Sequence, residues 1–362
     1  MKLLDLYLGK RVLFTTLKTM LAMVLLVIVV DFLTRTHDSA DKYQTPWPMI
    51  GLYYLCLIPA ILFEYHAAAM SILVAGLLTL GKAVQDREVT AALAGGVSLR
   101  RLVRAPLCIA LLLAITALFT GEAVGPRAAQ TIRWLGDEYF SRYTGGNRAG
   151  ASWAHLGGGW VCHVFKFNRT ALSGENVYLH NLDKDEIQEI RAGRIYWDSE
   201  TQRWLIENGI WCKLYPKQEW AQSVTRITQV PAPFSETPDD LFALEVASSE
   251  KTASELARDL HRAEQLGVPT NGLWVDYHVK YARPALCFIM MLLAIPFSMR
   301  LKQGGRSAGL GLSVAIAIAY VLLFFATVGL GHLGKMPPVL AAWTANLIFF
   351  TAGVGLLWRT PT

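Results

Sequence analysis

Few side chains in this 362-residue sequence stand in a pattern that does chemistry. The nearest is Gly76-Leu77-Leu78-Thr79-Leu80-Gly81-Lys82-Ala83, which fits the G-x4-G-K part of a phosphate-binding loop. Ala83 stands where such a loop needs a hydroxyl for Mg²⁺, and the stretch ends an apolar helix instead of joining a strand to a helix. Amides inside a helix are already hydrogen-bonded, so this chain is expected to bind no nucleotide or other cofactor. ATP and Mg²⁺ would belong to a partner subunit. Glu64 and His66 have the types for an intramembrane proton relay. Pro59 just before them favours the plainer placement, at the outer interface and in water. Cys162, His163, His180 and Cys212 do not form zinc spacing and read as strand residues, so no metal is expected. Cys162 and Cys212 form a disulfide only if their segment lies outside the cytoplasm and brings them close; sequence leaves that open. Cys56, Cys108 and Cys287 lie in apolar stretches as packing residues. Asn168-Arg169-Thr170 fits a glycosylation sequon, a short pattern that carries little weight by itself.

The elements that position these residues are membrane helices. Hydrophobic residues make up 53% of the chain and charged residues 17%, below the ~25% charge of an ordinary soluble domain. A spanning helix needs ~20 mostly apolar residues. Six stretches qualify, at about Val12–Leu33, Ile50–Leu80, Pro106–Val124, Tyr281–Met299, Ala308–Gly329 and Pro338–Trp358. The second is longer than one span needs. Pro59 and Glu64-Tyr65-His66 interrupt it, as for an interfacial segment leading into a tilted helix. The first run is too long for a signal peptide, and no cleavage site follows it, so it is expected to be retained.

Basic residues cluster at Lys2, Lys10 and Arg11, at Lys82, Arg87, Arg100, Arg101 and Arg104, and at Arg300, Lys302 and Arg306. A six-span alternation puts all three clusters on one side, which is the cytoplasmic side. Both termini then face the cytoplasm, and the region about Gly125–Asp276 lies outside. The net charge of +6 is explained by these borders, and no nucleic acid is expected. The outer region reads as β. Strands are expected at Trp160–Phe167, Asn176–Leu182, Glu189–Trp197 and Arg203–Glu207, with a turn at Asp198–Thr201, as in a sandwich or jelly roll. Thr252-Ala253-Ser254-Glu255 resembles a capping box opening a helix over about 252–266 that leads into span four.

The fold class is thus a membrane α-helical protein of six spans with an all-β, jelly-roll-like periplasmic domain inserted between helices 3 and 4. Residues 1–124 hold spans 1–3, 125–276 the β domain, and 277–362 spans 4–6. Between spans two and three, Glu88-Val89-Thr90-Ala91-Ala92-Leu93-Ala94 is a short helix former that Gly95-Gly96 can end through a left-handed cap. One reading is an ordinary basic loop. The other is a coupling helix, about 84–96, that docks into a cleft of an ATPase subunit, where Glu88 pairs with an arginine.

Leu80-Gly81-Lys82, Glu88-Val89 and Ala94-Gly95-Gly96-Val97-Ser98 together resemble the coupling segment of the LptF/LptG lipopolysaccharide-export permeases. Other segments agree in order: Leu4–Lys10 at the start, which is closer to the LptG side of the family, Gly121–Pro126 after span three, Ile295–Ser298 at the end of span four, and Lys335–Pro338 before span six. The resemblance covers the whole chain. It implies a non-catalytic permease subunit of an ABC transporter in the Gram-negative inner membrane. The implied partners are a second, LptF-like six-span permease, an LptB-like ATPase dimer, LptC-like and LptA-like jellyroll bridge proteins, and lipopolysaccharide. It also implies an ATPase-contacting set of Glu88, Val89, Ala94, Gly96, Val97 and Ser98. Arg133 matches a substrate-contacting arginine of the family, and Arg127 and Arg35 fall near the same membrane level; guanidinium suits bidentate phosphate contact. The sequence departs from the family at Asp31 and His37, where basic residues of span one stand in LptG-type proteins. Asp31 is expected to pair with an arginine of a neighbouring span.

Three other functions compete. A mechanotransmitter, an ABC-type subunit that passes force without moving substrate, usually carries its outer domain after the first span, whereas here it follows the third. A secondary transporter of another amphipathic envelope lipid needs broken helices near the midplane, and only span two hints at one. An intramembrane enzyme needs a nucleophile and base facing one cavity, which the spans do not offer.

Overall fold

The computed structural model describes residues 2–140, 147–168, 171–182, 187–215, 221–238, 248–265, 270–300 and 305–359. The chain forms two compact units. One comprises Met1–Asp38, Ile50–Ile132 and Asn271–Thr362; the other comprises Ser39–Met49 and Arg133–Thr270.

The first unit is helical. Its elements begin with α1 (Lys2–Asp31), α2 (His37–Lys42), α3 (Trp47–Pro59), α4 (Ala67–Gln85), α5 (Glu88–Ala94), α6 (Leu99–Leu102), α7 (Arg104–Phe119) and α8 (Gly125–Glu138), of which α2, α3 and α8 run across the boundary between the units. After the β region come α10 (Asn271–Arg300), α11 (Gly305–His332) and α12 (Pro338–Trp358). Among the described residues, seven helical stretches are long and apolar enough to cross a membrane. The seventh arises because the long second stretch is two helices, Trp47–Glu64 and Ala67–Gln85. The break is not at Pro59. That residue ends α3, and the chain continues through a π-helical turn, Ala60–Glu64, in which Tyr65 N–H donates to Ala60 O at 2.9 Å. The break falls at His66, whose φ of 63° is left-handed and cannot continue a right-handed helix.

Two helices form the spine of this bundle. The apolar window of α4 is 78% buried and that of α10 67% buried, against 17–28% for the others. A protein interior tolerates this only where small residues let backbones approach. Gly76 on α4 is such a residue: a Cβ there would lie 2.6 Å from Ala294 Cβ and 3.1 Å from Met291 Sδ of α10. Gly331 on α11 is another, where a Cβ would run into Ala341 of α12 and Val275 of α10. The phosphate-loop look-alike therefore lies inside a continuous packed helix. A buried side-chain chain joins the last three helices. Tyr320 OH on α11 donates to Asn346 Oδ1 on α12 at 2.9 Å, and Asn346 Nδ2 donates to Ala282 O on α10 at 2.7 Å.

The second unit carries a single antiparallel meander, with strands β1 (Asn147–His155), β2 (Trp160–Asn168), β3 (Ser173–Leu182), β4 (Ile187–Asp198), β5 (Arg203–Tyr215) and β6 (Ala221–Pro231) in that spatial order. The jelly-roll-like core is built from one face of this sheet. Trp160, Cys162, Val177, Leu179, Ile190, Ala192, Ile195, Trp204, Ile206 and Ile227 all meet in one cluster. Ala192 and Ile195 are an odd number of residues apart, yet both point inward, and so do Ile206 and Trp211. The reason is a line across the sheet. Asn176, Gly193 and Asn208 share one level on β3, β4 and β5, and Asn176 (φ 54°) and Asn208 (φ 53°) are left-handed. Each strand changes its inward face there while the pairing register stays unshifted. Gly209 is fixed beside this line, because a Cβ would come within 2.7 Å of Arg191 O. Trp204 is sealed by its Nε1–H, which donates to Glu236 O at 2.9 Å.

The helix α9 (Ala253–Gln265) opens with the expected capping box. Thr252 N–H donates to Glu255 Oε2 at 2.7 Å, and Glu255 N–H donates to Thr252 Oγ1 at 3.2 Å. Its last predicted residue, 266, lies outside the described residues. Span four begins at Asn271, ten residues before the sequence-based limit.

Replacing Gly76 with Val forces α4 and α10 apart, and overpacking of this kind costs about 1–3 kcal/mol. Thermal unfolding in detergent should show a Tm several degrees below wild type for Gly76→Val. Gly81→Ala is the control: a Cβ there meets nothing within 4 Å, so its melt should match or exceed wild type.

Candidate functional site

The segment that the sequence marks as a docking element is built on two left-handed residues. Arg87 (φ 59°) follows the end of α4 and turns the chain sharply into α5. Gly96 (φ 79°) follows its end. Gly96 N–H donates to Leu93 O at 3.0 Å and Val97 N–H to Ala92 O at 3.0 Å, the two bonds of a Schellman cap. The cap falls at Gly96, while Gly95 has ordinary right-handed geometry. Of the expected set, Val89 is 5% exposed and packs into the helical core with Leu99 and Leu102. Ala94, Gly96 and Ser98 are exposed, and Val97 is half-buried. Ser98 is the extended residue before α6, whose carbonyl accepts from Arg101 N–H at 3.0 Å. The result is a seven-residue helix anchored by Val89 with Ala92 and Leu93 packed beside it, and with Ala91 and Ala94 turned outward.

Glu88 opens this helix and is already engaged. Arg11 Nη1 of α1 donates to Glu88 Oε2 at 3.3 Å. Sequence reasoning missed this partner, which is 77 residues away.

Of the three arginines expected to meet phosphate, Arg133 is the best defined. Its Nη1 donates to Glu250 Oε2 at 2.8 Å, with both side chains 14% exposed. A guanidinium has five N–H donors, so this pair leaves donors for a second anion. Arg127 is exposed on α8. Arg35 lies in a π-helical turn, Phe32–Thr36, and its side chain lies outside the described set. Lys302, between spans four and five, is outside it as well, as are Arg169 and Thr170 of the sequon.

Two expectations about intramembrane charges are corrected. Among the described residues Asp31 meets hydroxyls and no arginine: Thr36 Oγ1 donates to its Oδ2 at 2.9 Å and Tyr54 OH at 3.1 Å. The π-helical turn after Asp31 shifts the helix phase so that Thr36, five residues on, folds back to the carboxylate. His66 is not in water. It is 6% exposed, with its ring edge-on to Phe324 and Tyr320 at 5.2 and 6.1 Å. Glu64 lines a small cavity of about 30 Å³ with Cys56, Pro59, Phe63, Gly121, Ala128 and others. Arg283 and Lys280 on α10 lie close enough for their charges to act on it.

Cys162 and Cys212 are both free. They lie on β2 and β5 with two strands between them, roughly 14 Å apart at ~4.8 Å per strand, beyond disulfide reach. Burial pushes the Cys162 thiol up to about 12, which makes it a packing residue. Among the described residues, no cluster of His, Cys, Asp or Glu is placed to hold a metal ion.

Several helices long and apolar enough to cross a membrane, with a meander sheet inserted in the chain between them and a capped helix between two of them, define a multi-pass membrane protein. The sequence profile of the lipopolysaccharide export system permeases LptF/LptG matches residues 6–359, and the chain belongs to that family. It is similar to the lipopolysaccharide export system permease protein LptG of Escherichia coli K12, at 23% identity over 98% of each chain. The LptG of Escherichia coli O6:H1 matches to the same extent. Membership makes the chain a multi-pass protein of the inner membrane.

Arg133→Ala withdraws a charge-assisted hydrogen bond from the half-buried Glu250. Losing such a bond costs about 1–3 kcal/mol. The expected result is a lowered Tm of the β domain, followed by tryptophan fluorescence, with Arg133→Lys recovering part of the loss.

Proposed function

We propose that this chain is the LptG-like permease subunit of an ABC transporter that extracts lipopolysaccharide from the outer leaflet of the inner membrane. It passes the lipid to a periplasmic bridge for export to the outer membrane. The observation that carries the reading is α5: a short helix between two spans, held at both ends by left-handed residues, with Glu88 in its first turn. Such a helix can seat in a cleft of an ATPase without unfolding its neighbours. ATP and Mg²⁺ then belong to an LptB-like ATPase dimer, and this chain does no chemistry of its own. A second, LptF-like six-span permease completes the cavity, and LptC-like and LptA-like jellyroll proteins continue the path.

In this reading both termini and α5 are cytoplasmic, and the β domain is periplasmic. The basic clusters around Arg11, around Arg101 and around Arg300 support that orientation. The helices Trp47–Glu64 and Ala67–Gln85 then together make one pass. Lipid A carries phosphates, and Arg133, Arg127 and Arg35 are the side chains assigned to them. Arg133 serves the substrate with the donors that Glu250 leaves free.

The test is affinity purification of the tagged chain in mild detergent from its native membrane. An ATP-binding subunit and a second six-span permease should co-purify. Glu88→Ala should leave the chain folded and paired with the other permease but cut ATPase recovery about tenfold or more, the equivalent of one lost charge-assisted hydrogen bond. Recovery of the chain alone, or full ATPase recovery and transport with Glu88→Ala, would remove the coupling role.

A further inference from the structure

The Glu88 carboxylate is oriented from within the chain. Arg11 Nη1 lies 3.3 Å from Glu88 Oε2 and also 3.3 Å from the Tyr7 hydroxyl, and the Arg11 guanidinium stands over the Tyr7 ring at 5.9 Å from its centroid. Tyr7 and Arg11 are four residues apart on α1, the spacing at which helix side chains meet. The backbone beneath them is fixed. Leu8 and Val12 are 2% and 0% exposed, and they belong to the same core as Val89 of α5. Arg11 and Glu88 retain 23% and 35% exposure, so the pair faces the surface that α5 presents. A carboxylate accepts hydrogen bonds on both oxygens. Arg11 takes Oε2, and a second guanidinium can bond Oε1 without displacing it.

We propose that Arg11 is a positioning residue. It holds the Glu88 carboxylate in the rotamer that receives a partner's cation, and it ties α5 to α1. This rests on the reading of α5 as the docking helix. Without Arg11, Glu88 samples its full set of rotamers, and docking must first order it. One nitrogen, Nη1, reaches both Tyr7 and Glu88, so the role rests on a long side chain with a positive charge more than on the shape of the guanidinium. The inference also gives α1 a part in coupling, since a displacement of α5 by the ATPase is passed to α1 through a direct bond.

The experiment uses the intact complex and the ATPase subunit that co-purifies with it. Arg11→Gln, Arg11→Lys, Glu88→Ala and the double variant Arg11→Gln/Glu88→Ala are compared by titrating that ATPase onto the purified permease pair. Thermal unfolding is measured alongside. Arg11→Gln should weaken ATPase binding about two- to fivefold, the range of a partly exposed ion pair, with an unchanged Tm. Arg11→Lys should restore most of the affinity. In the Glu88→Ala background, Arg11→Gln should have no further effect. If Arg11→Gln binds like wild type while Glu88→Ala does not, the positioning role is overturned and the docking role stands. An Arg11→Gln effect that persists undiminished in the Glu88→Ala background also overturns it, because Arg11 then acts without Glu88. If Glu88→Ala binds like wild type, the docking reading itself fails, and this inference fails with it.

Discussion

The contact on which the rest of the helical unit depends is the approach of α4 to α10 at Gly76, Met291 and Ala294. Hydrocarbon gives no hydrophobic drive for helices to associate, so close packing of small residues has to supply the attraction. The two helices that meet there are the most buried of the set, and α1, α7, α11 and α12 pack around them. The spine is also where α5, the helix proposed to dock, is attached. The chain leaves α4 through Asp86 and Arg87 directly into α5, so a load on α5 is applied to the end of the best-packed helix in the bundle. A loop hung on one of the lipid-facing helices would move without its neighbours. This one cannot.

The same arrangement explains how the chain carries polar groups inside an apolar bundle. Asp31, Tyr54 and Thr36 satisfy one another where a π-helical turn changes the helix phase, and π-helical turns recur at Ala60–Glu64 and Thr120–Val124. Tyr320 and Asn346 finish on a backbone carbonyl of α10. Asp31 is answered from α3 by Tyr54, and Asn346 from α11 and α10, which ties these helices together while their outer faces stay apolar. Leu17, Leu21 and Leu25 on α1 and Val314, Ile318 and Leu322 on α11 are all more than half exposed, as befits surfaces that face lipid or another permease.

Much of this architecture is legible in the amino-acid order, because membrane helices announce themselves by composition. The capping box at Thr252 and the glycine cap after Ala94 are local signals, and local signals survive translation into structure well. Of the two interruptions expected in the second apolar stretch, the polar cluster Glu64-Tyr65-His66 holds the break, at His66, whereas the chain absorbs Pro59 within continuous helix. The strands β1 and β6 escaped notice because Asn147–His155 is rich in Ala, Gly and polar residues and Ala221–Pro231 is mostly polar, so neither has the run of large apolar residues that marks a strand. The face change at Asn176, Gly193 and Asn208 exists only in the pairing of three strands, and no single strand reveals it. For the site, Glu88 and Arg133 could be picked out by type and place. Their partners Arg11 and Glu250 could not, since separations of 77 and 117 residues leave no pattern to read.

Family membership, the capped helix α5 and the engaged Glu88 converge on one claim: that ATP hydrolysed by a partner moves lipopolysaccharide through this chain. The most direct measurement reconstitutes the chain, the second permease and the ATPase in liposomes containing lipopolysaccharide, and follows its transfer to a soluble jellyroll acceptor by photocrosslinking. The account predicts lipopolysaccharide–acceptor adducts that accumulate only with ATP and only when this chain is present. Equal accumulation without ATP or without the chain, or steady ATP hydrolysis by the assembled complex with no adduct formed, would contradict it.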